Sequence, residues 1–331
     1  MSLPNNRIMT MIWGIIFSSI IYSCTKSENI DINNNKLPKY KSISTLRIEN
    51  YVQRMFIDLL GRESTNQERD SFTAQLKRED LHDSCRTRLV RTLMYDTTYH
   101  VGDSSYRHAF AQRIYDISKA RFLEGASDVD INMFKYDLDI AIYLERLREG
   151  GDSVLIYKWF DQRRQYYELL NSRGDFKKNK IDYRKMVETM IHNSIYDQIN
   201  MNSFNFVNAA FDNVLLRKPS INEFNRAYDI IQRNTSQSLF GRWASNKSEF
   251  CQVLTESDAF HEGQIRWFYY VLVQREPSTA EVSKLFFPFI KNHRIEEIIE
   301  TDGFGHILAS YDGVENNHRV DGVDYYIFRT N

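Results

Sequence analysis

The chain has little cysteine, proline and glycine, and it has no excess of charge of either sign. Its 331 residues include 3 Cys, 5 Pro and 13 Gly, and the formal net charge is −1. Few prolines and glycines mean few tight turns, which favours long helices over many short strands. Because the chain has no surplus of cations to neutralise phosphates, we expect no nucleic-acid partner.

The sequence also lacks the signatures of enzymes and cofactor sites. It contains no His-Glu-x-x-His zinc motif, no Cys-x-x-Cys-His haem site, no Gly-x-Ser-x-Gly elbow, no Walker loop and no dinucleotide fingerprint. We therefore predict no catalytic residue, no cofactor and no metal ligand. Cys85 and Cys251 lie in predicted helices. A disulfide between them in an oxidising envelope is one interpretation, and two buried free thiols is the favoured one.

An N-terminal segment has the pattern of an export signal. Arg7 is the only charged residue before Lys26, and residues 8–21 between them are largely apolar. A positive residue followed by an apolar stretch of 14 residues is the layout of a secretory signal, and this stretch is short for a membrane-spanning helix. The stretch leads into Ile21, Tyr22, Ser23 and Cys24.

These four residues resemble the lipobox of bacterial lipoproteins, which has an aliphatic residue at −3, a small residue at −1 and then the cysteine. The resemblance implies a signal peptide over residues 1–23 and cleavage before Cys24. It also implies that diacylglycerol and further acyl chains such as palmitate are attached at that cysteine. The alternative is a simple membrane anchor helix in which Cys24 is incidental.

Residues 24–46 begin with a polar stretch and are predicted to form a flexible tether. Cys24, Lys26 and Glu28 resemble the surface-export signal of lipoproteins from Bacteroidota, and Thr25 is not the aspartate of the inner-membrane retention signal. We therefore expect the chain to be held at the outer membrane by lipid on Cys24. Whether it faces the periplasm or the cell surface is left open.

The body of the chain repeats a motif in which an arginine is followed by Ser or Thr at +3 and Glu at +6. An apolar helical pattern precedes each copy, as with Val52, Phe56 and Leu59. The Ser or Thr and the Glu predict a capping box that starts a second helix. Since a fold constraint repeats whereas a ligand site usually does not, we expect each arginine to bond helix-end carbonyls or a carboxylate across the turn. The copies are Arg62 with Thr65 and Glu68, Arg217 with Ser220 and Glu223, and Arg275 with Ser278 and Glu281.

A second recurring element has an aliphatic residue, a small polar residue at +3 and an aromatic residue at +6. It predicts a third helix that leads into the next unit, so that the fold is all-α, a helical repeat array of about four three-helix units. The units are placed at 47–100, 101–200, 201–262 and 263–305. The four copies of the element are Leu93/Asp96/Tyr99, Met190/Asn193/Tyr196, Leu254/Ser257/Phe260 and Ile298/Thr301/Phe304.

The second unit departs from the pattern because it lacks the arginine motif. It carries instead an insertion at about 125–180, predicted as two amphipathic helices, Asp130–Arg148 and Ser153–Leu170, on either side of two glycines. The role of this insertion is left open. Residues 306–331 are predicted to form a short C-terminal hairpin, packed on the last unit or added as a strand to a partner sheet.

The stretch Tyr51-Val52, followed by Leu59-Leu60-Gly61-Arg62, and its repeats resemble a helical domain of unknown function found in secreted bacterial proteins. That domain is itself similar to phycobilisome linker domains. The resemblance covers units one, three and four, about half of the chain. It implies an all-α fold and a role in adhesion or assembly, and it brings no catalytic residues.

Two classes of function follow. The leading hypothesis is a non-enzymatic binding or assembly subunit of an envelope protein complex, with a protein partner in the outer membrane that is bound by the repeats or by the insertion. The alternative is an envelope hydrolase acting on glycan or peptidoglycan, which needs a pair of carboxylates, or a glycan-binding protein with aromatic residues on one face. The carboxylates considered are Asp128, Asp130, Glu145 and Asp161.

Overall fold

The computed structural model describes residues 43–273, 275–296 and 299, all within the second of the two units into which the chain divides, residues 38–331. This part of the chain is all-α, as predicted, with thirteen α-helices and a two-stranded hairpin. Cys24, residues 306–331 and the element Ile298/Thr301/Phe304 lie outside the described residues.

The helices follow one another with short connections. In chain order they are α1 Thr45–Leu60, α2 Asn66–Arg78, α3 Asp83–Tyr95, α4 Tyr106–Leu123, α5 Asp128–Leu147, α6 Ser153–Lys177, α7 Tyr183–Ile191, α8 Ser194–Asn200, α9 Ser203–Leu215, α10 Ile221–Arg233, α11 Lys247–Thr255, α12 Asp258–Phe268 and α13 Thr279–Asn292. A π-helical turn, Tyr269–Val273, continues α12, and strands β1 Gln237–Leu239 and β2 Arg242–Ala244 lie between α10 and α11.

Helix α1 shows how the sequence pattern becomes a helix of this fold. Its apolar residues recur at helical spacing, and Val52, Phe56 and Leu59 on that face are completely buried. The helix ends at Gly61, which adopts a left-handed conformation with φ of 74° and donates its amide to the carbonyl of Ile57. Glycine takes this conformation without the steric cost of a Cβ atom, so a glycine at this position predicts the end of the helix.

The first helices of neighbouring predicted units pack together at two places, α1 against α4 and α9 against α12. Helix α4 also packs against α8, the short last helix of its own predicted unit. In the first unit α2 and α3 both pack against α1, and a single apolar core runs through the described helices. Gly263 in α12 marks a close approach of two helices, since a Cβ atom there would lie 2.6 Å from the carbonyl carbon of Leu215 at the end of α9.

Two features of the third unit differ from the prediction. Helix α12 begins at Asp258, so the expected boundary between residues 262 and 263 falls inside a helix. The reason is that Ser257 accepts the amide of Phe260 and starts the helix early. The β1–β2 hairpin was not predicted, because strands of three residues are too short to show an alternating pattern.

The aromatic residue of the recurring third-helix element behaves differently in its first copy. Tyr196 and Phe260 are fully buried, whereas Tyr99 is 76% exposed. Asn193 and Ser257 cap the helices that carry the buried rings. Asp96 instead accepts the amide of Thr98 within a loop, and the next helix starts only after Ser105.

The predicted insertion is a pair of antiparallel helices, α5 and α6, residues 128–177. From here on, the hairpin means these two helices and not the β1–β2 strands. It agrees with the expected pair of helices, although α6 extends to Lys177 rather than Leu170. Its first helix packs along its second, and no other described helix contacts α5 extensively. The second helix also packs against α4, α7 and α8, which attaches the hairpin to the rest of the fold. None of the helices among the described residues is long and apolar enough to cross a membrane.

Candidate functional site

The arginine motif has the same geometry in all three copies. Arg62 donates through Nη1 and Nη2 to Glu68 Oε2 and Oε1 at 2.9 and 2.7 Å, and through Nη1 to the carbonyl of Glu63. Thr65 and Glu68 form the predicted capping box, in which each side chain accepts the other residue's amide. The same bonds recur for Arg217 with Lys218, Ser220 and Glu223, and for Arg275 with Glu276, Ser278 and Glu281.

An aromatic ring lies under each of these guanidinium groups. This contact was not predicted from the sequence, although the signal is present as an aromatic residue six positions before each arginine. A cation over a ring contributes about 0.5–1 kcal/mol at a partly exposed site. The distances from guanidinium carbon to ring centroid are 5.1 Å for Arg62 over Phe56, 5.5 Å for Arg217 over Phe211, and 5.1 Å for Arg275 over Tyr269.

The first copy belongs to a larger polar cluster. Arg62 Nε also donates to Asp103 at 2.8 Å, and the hydroxyl of Tyr106 donates to Glu68 Oε1 at 2.9 Å. Burial acts to raise the pKa of Glu68, but hydrogen bonds from Arg62, Thr65 and Tyr106 lower it to about 2. The charged groups of the motif are thus engaged within the fold, which agrees with a structural role for the three arginines.

The carboxylates considered for hydrolysis are each held by a neighbouring group. These contacts stabilise helix ends and join helices, and they single out no pair of acids for general acid–base work. Within the part of the chain that the structure describes, no three His, Cys, Asp or Glu residues are grouped so as to hold a metal ion. Asp128 pairs with Lys119 and Arg173, Asp130 accepts the amide of Ser127, Glu145 pairs with Arg148, and Asp161 pairs with Arg164.

The buried thiols and the buried histidine are shielded from substrates. Cys85 and Cys251 are both free and buried, and burial raises the pKa of Cys251 to about 12, so the thiol stays protonated. Burial lowers the pKa of His261 to about 4, and its ring lies between the carbonyl of Ser257 and the ring of His293. These residues are parts of the core.

The hairpin presents an exposed apolar face that we call the outer stripe. It lies on the side of α5 that faces away from α6, while Ile131 and Ile142 on the opposite side are 0% and 5% exposed. The spacing of 4, 3, 4, 3 and 4 residues is that of a seam where one helix packs on another. The stripe consists of Val129 (68% exposed), Met133 (61%), Tyr136 (63%), Ile140 (41%), Tyr143 (62%) and Leu147 (65%).

Exposed apolar side chains are concentrated in the hairpin. Of the 20 large hydrophobic side chains that are exposed among the described residues, 11 lie between residues 128 and 177. Leu144, Val154 and Tyr157 extend the outer stripe at the tip of the hairpin, with exposures of 59%, 75% and 74%. Scattered apolar residues on a surface are normal, but a continuous row of this kind marks an interaction surface.

A second surface feature is a shallow aromatic groove of about 500 Å³ beside α10. The rings of Phe204 and Phe224 lie edge to face at 4.9 Å, and Tyr228 stacks on Phe224 at 6.0 Å. Asn225 and Asp229 supply polar atoms at its wall. These residues were not predicted as a site from the sequence, because they are dispersed over two helices and share no motif.

Comparison with family models, with curated proteins and with solved structures finds no match for this chain. The resemblance to the secreted helical domain and to lipoproteins therefore stays a prediction from the sequence. The case for a functional surface comes from geometry alone, and the outer stripe is the surface that the packing of the fold leaves without an internal explanation.

Proposed function

We propose that this protein is a lipid-anchored, non-enzymatic binding or assembly subunit of an envelope protein complex, and that it docks its partner on the outer stripe of the hairpin. The observation that carries the proposal is the row of six half-exposed apolar side chains along α5, from Val129 to Leu147. The inner face of the same helix already satisfies its packing against α6, so the outer row does not serve the hairpin itself.

The size of the stripe fits a docking surface of moderate strength. Complete burial of one large apolar side chain is worth about 1.5–3 kcal/mol, and each of the six is about half covered already, so covering them yields roughly 5–9 kcal/mol. Association costs about 4–15 kcal/mol in lost freedom, depending on the model. A partner that also covers Leu144, Val154 and Tyr157 at the tip gains the additional area that a stable complex needs.

The charged groups of the arginine motif and the carboxylates of the hairpin support binding rather than catalysis. Arg62, Arg217 and Arg275 are joined to glutamates and helix-end carbonyls, and the carboxylates considered for hydrolysis are held by cations or by backbone amides. Such groups stabilise a scaffold. The hairpin adds an apolar surface to that scaffold, and such a surface can bind a partner without catalysing a reaction.

The anchor part of the proposal is supported by the sequence around Cys24. Lipid there would hold the body through a tether of about 20 residues, close enough for the hairpin to meet partners in the same membrane. The Cys24→Ala chain should move from the membrane fraction to the soluble fraction while keeping the circular dichroism of the wild type. Retention of Cys24→Ala in the membrane fraction would contradict lipidation at this residue.

The docking part is tested by purifying the tagged full chain from detergent-solubilised membranes. We expect a partner that is retained by wild type and lost with Ile140→Asp, which places a charge in the middle of the stripe. The matched control is Ile221→Asp, at an 81% exposed position of α10 outside the stripe, and this variant should keep the partner. A wild-type chain that runs alone as a monomer, or a partner indifferent to Ile140→Asp, would overturn the proposal.

A second candidate function, glycan binding, is favoured by one observation, the aromatic groove. The rings of Phe204, Phe224 and Tyr228 offer flat apolar faces, and Asn225 and Asp229 offer hydrogen-bonding groups beside them. If the groove binds glycans, soluble envelope polysaccharide should quench tyrosine fluorescence in the wild type and not in Tyr228→Ala. Equal quenching in both chains, or none in either, would remove this candidate.

A further inference from the structure

The aromatic groove beside α10 is held in shape by contacts between two helices. Ser203 Oγ donates to Gln232 Oε1 at 2.6 Å, which ties the start of α9 to the end of α10. Phe204, in the first turn of α9, is thereby held beside Phe224 while its ring stays 58% exposed. A ligand that enters the groove meets rings whose positions are already set, and this lowers the entropic cost of binding.

The rings form a platform for the flat face of a sugar. Phe224 and Tyr228 lie one turn apart on α10, and their ring planes are inclined by 20° with the centroids 6.0 Å apart. Phe204 stands against Phe224 at 62° and forms a wall beside the platform. The face of an aromatic ring carries partial negative charge, and one side of a sugar ring presents apolar C–H groups of partial positive charge, so the two faces pack together.

A cation lies at the wall of the groove. Arg233 Nη1 donates to Asp229 Oδ1 at 2.7 Å, one helical turn earlier on α10. The side chain of Arg233 is 66% exposed and that of Asp229 is 27% exposed, so the cation is the outer member of the pair. A guanidinium group has several N–H donors, and this hydrogen bond uses one of them. A ligand that reaches this wall therefore meets positively charged donors.

The pairing of these two charges selects against a cationic ligand. Aromatic rings beside an unpaired carboxylate would attract a cation. Here Arg233 already neutralises Asp229 and repels a second positive group. A carboxylate on the ligand instead gains two parallel hydrogen bonds from the planar guanidinium group, and the amide of Asn225 on the same wall offers donors and an acceptor to sugar hydroxyls.

From these contacts we infer that the aromatic groove binds an acidic polysaccharide made of hexuronic acid units. One sugar ring packs on Phe224 and Tyr228, and its carboxylate binds Arg233. Asp229 positions the guanidinium group and competes with the ligand for it. The inference rests on the second candidate function, since it takes the groove to bind glycans and names which class of glycan it selects.

The test is isothermal titration calorimetry of the detergent-solubilised full chain with three oligosaccharides of equal length: a hexuronic acid oligomer, its methyl ester and a neutral hexose oligomer. We expect the wild type to bind the acid about tenfold more tightly than the other two, since a hydrogen bond between charged groups is worth at least that factor. Arg233→Gln should abolish this preference. Asp229→Asn should strengthen binding of the acid severalfold, because the guanidinium group is no longer shared.

The matched control is Arg266→Gln in α12, which removes an arginine paired in the same way with Glu262 outside the groove. This variant should keep the preference of the wild type for the acid, and all variants should keep its circular dichroism. A preference that survives Arg233→Gln would overturn the inference.

The remaining outcomes separate the inference from the second candidate function. If the acid and its ester bind the wild type equally and Tyr228→Ala weakens both, the groove binds glycans without selecting charge, and the inference fails alone. If none of the three oligosaccharides binds, the inference fails, and the quenching of tyrosine fluorescence by envelope polysaccharide decides glycan binding separately.

Discussion

The body, helices α1–α4 and α7–α13, and the hairpin use their apolar and charged residues in opposite ways. In the body the apolar faces are buried on neighbouring helices, and the arginines of the motif bind glutamates across the turns. In the hairpin α5 buries one apolar face and exposes a second. Packing within the fold thus explains where the apolar and charged residues of the body lie. It does not explain the outer stripe, which we attribute to a partner that covers it.

The difference teaches where function is to be sought in a protein of this kind. A feature that repeats at equivalent places, such as the ring, arginine and capping box, reports a requirement of the fold. A feature that occurs once and leaves apolar area uncovered reports a requirement outside the fold. The hairpin interrupts the second unit, which lacks the arginine motif, and it adds a surface that the other units do not have.

The two regions should differ most in how much stability is lost when one large apolar residue in each is truncated. Phe211→Ala removes a fully buried ring from the body and should lower the free energy of unfolding by about 3–5 kcal/mol. Ile140→Ala removes an exposed side chain from the stripe and should change it by no more than about 0.5 kcal/mol. Urea unfolding followed by circular dichroism measures both. A loss of several kcal/mol from Ile140→Ala would mean that the stripe is part of the fold.

A smaller effect is expected from adding one methyl group to a glycine in each region. Gly263→Ala forces a Cβ atom against the backbone of Leu215 and should cost about 1–3 kcal/mol of unfolding free energy. Gly174→Ala, within α6, meets no atom within 4 Å and should stabilise the chain by about 0.5–1 kcal/mol through helix propensity. Thermal unfolding of the two variants gives shifts of opposite sign. Shifts of the same sign would contradict the close approach of α12 to α9.

Within the body, the three arginine motifs should contribute different amounts to the free energy of unfolding. Glu68→Gln removes a charge that is bonded to Arg62 and Tyr106, and Glu223→Gln removes one bonded to Arg217 without the additional cluster. We expect losses of about 1–2 kcal/mol for Glu68→Gln and about 0.5–1 kcal/mol for Glu223→Gln. Equal losses in denaturant unfolding would show that Asp103 and Tyr106 add nothing to the first copy.

The body should also show a dependence of its stability on pH. Hydrogen bonds from Arg217 and the capping residue lower the pKa of Glu223 to about 2 from its ordinary 4.5, and the pKa of Glu68 is likewise about 2. Their contribution is complete above about pH 4.5 and is lost as the pH falls toward 2, by about 1 kcal/mol for each after solvent screening. The double variant Glu68→Gln with Glu223→Gln should flatten this part of the stability profile. An unchanged profile would contradict the assignment.

Many helix ends could be predicted from the sequence because the residues that determine them lie close together in the chain. The glycine at position 61, the capping boxes at Thr65, Ser220 and Ser278, and the glycines between the two hairpin helices each act within a few residues. Local signals fix where helices start and end. The observed limits of α5 and α6 therefore differ from the predicted ones by a few residues, except at the far end of α6.

The rest depended on contacts between distant residues. Nothing near Tyr99 in the sequence distinguishes it from Tyr196, and only the loop that follows α3 decides that one is exposed and the other buried. The same holds for the outer stripe. Both faces of α5 are apolar, and the sequence does not say which face meets α6, so the exposed one became visible only when Ile131 and Ile142 were found buried.

The most direct test of the central claim is hydrogen exchange of the full chain as purified from solubilised membranes, compared between wild type and Ile140→Asp under the same conditions. If the outer stripe is a covered docking face, amides of residues 129–147 should exchange faster in the variant, and amides of α1–α4 should be unchanged. Equal exchange over residues 129–147 in the two chains, or acceleration spread through the body, would contradict the account.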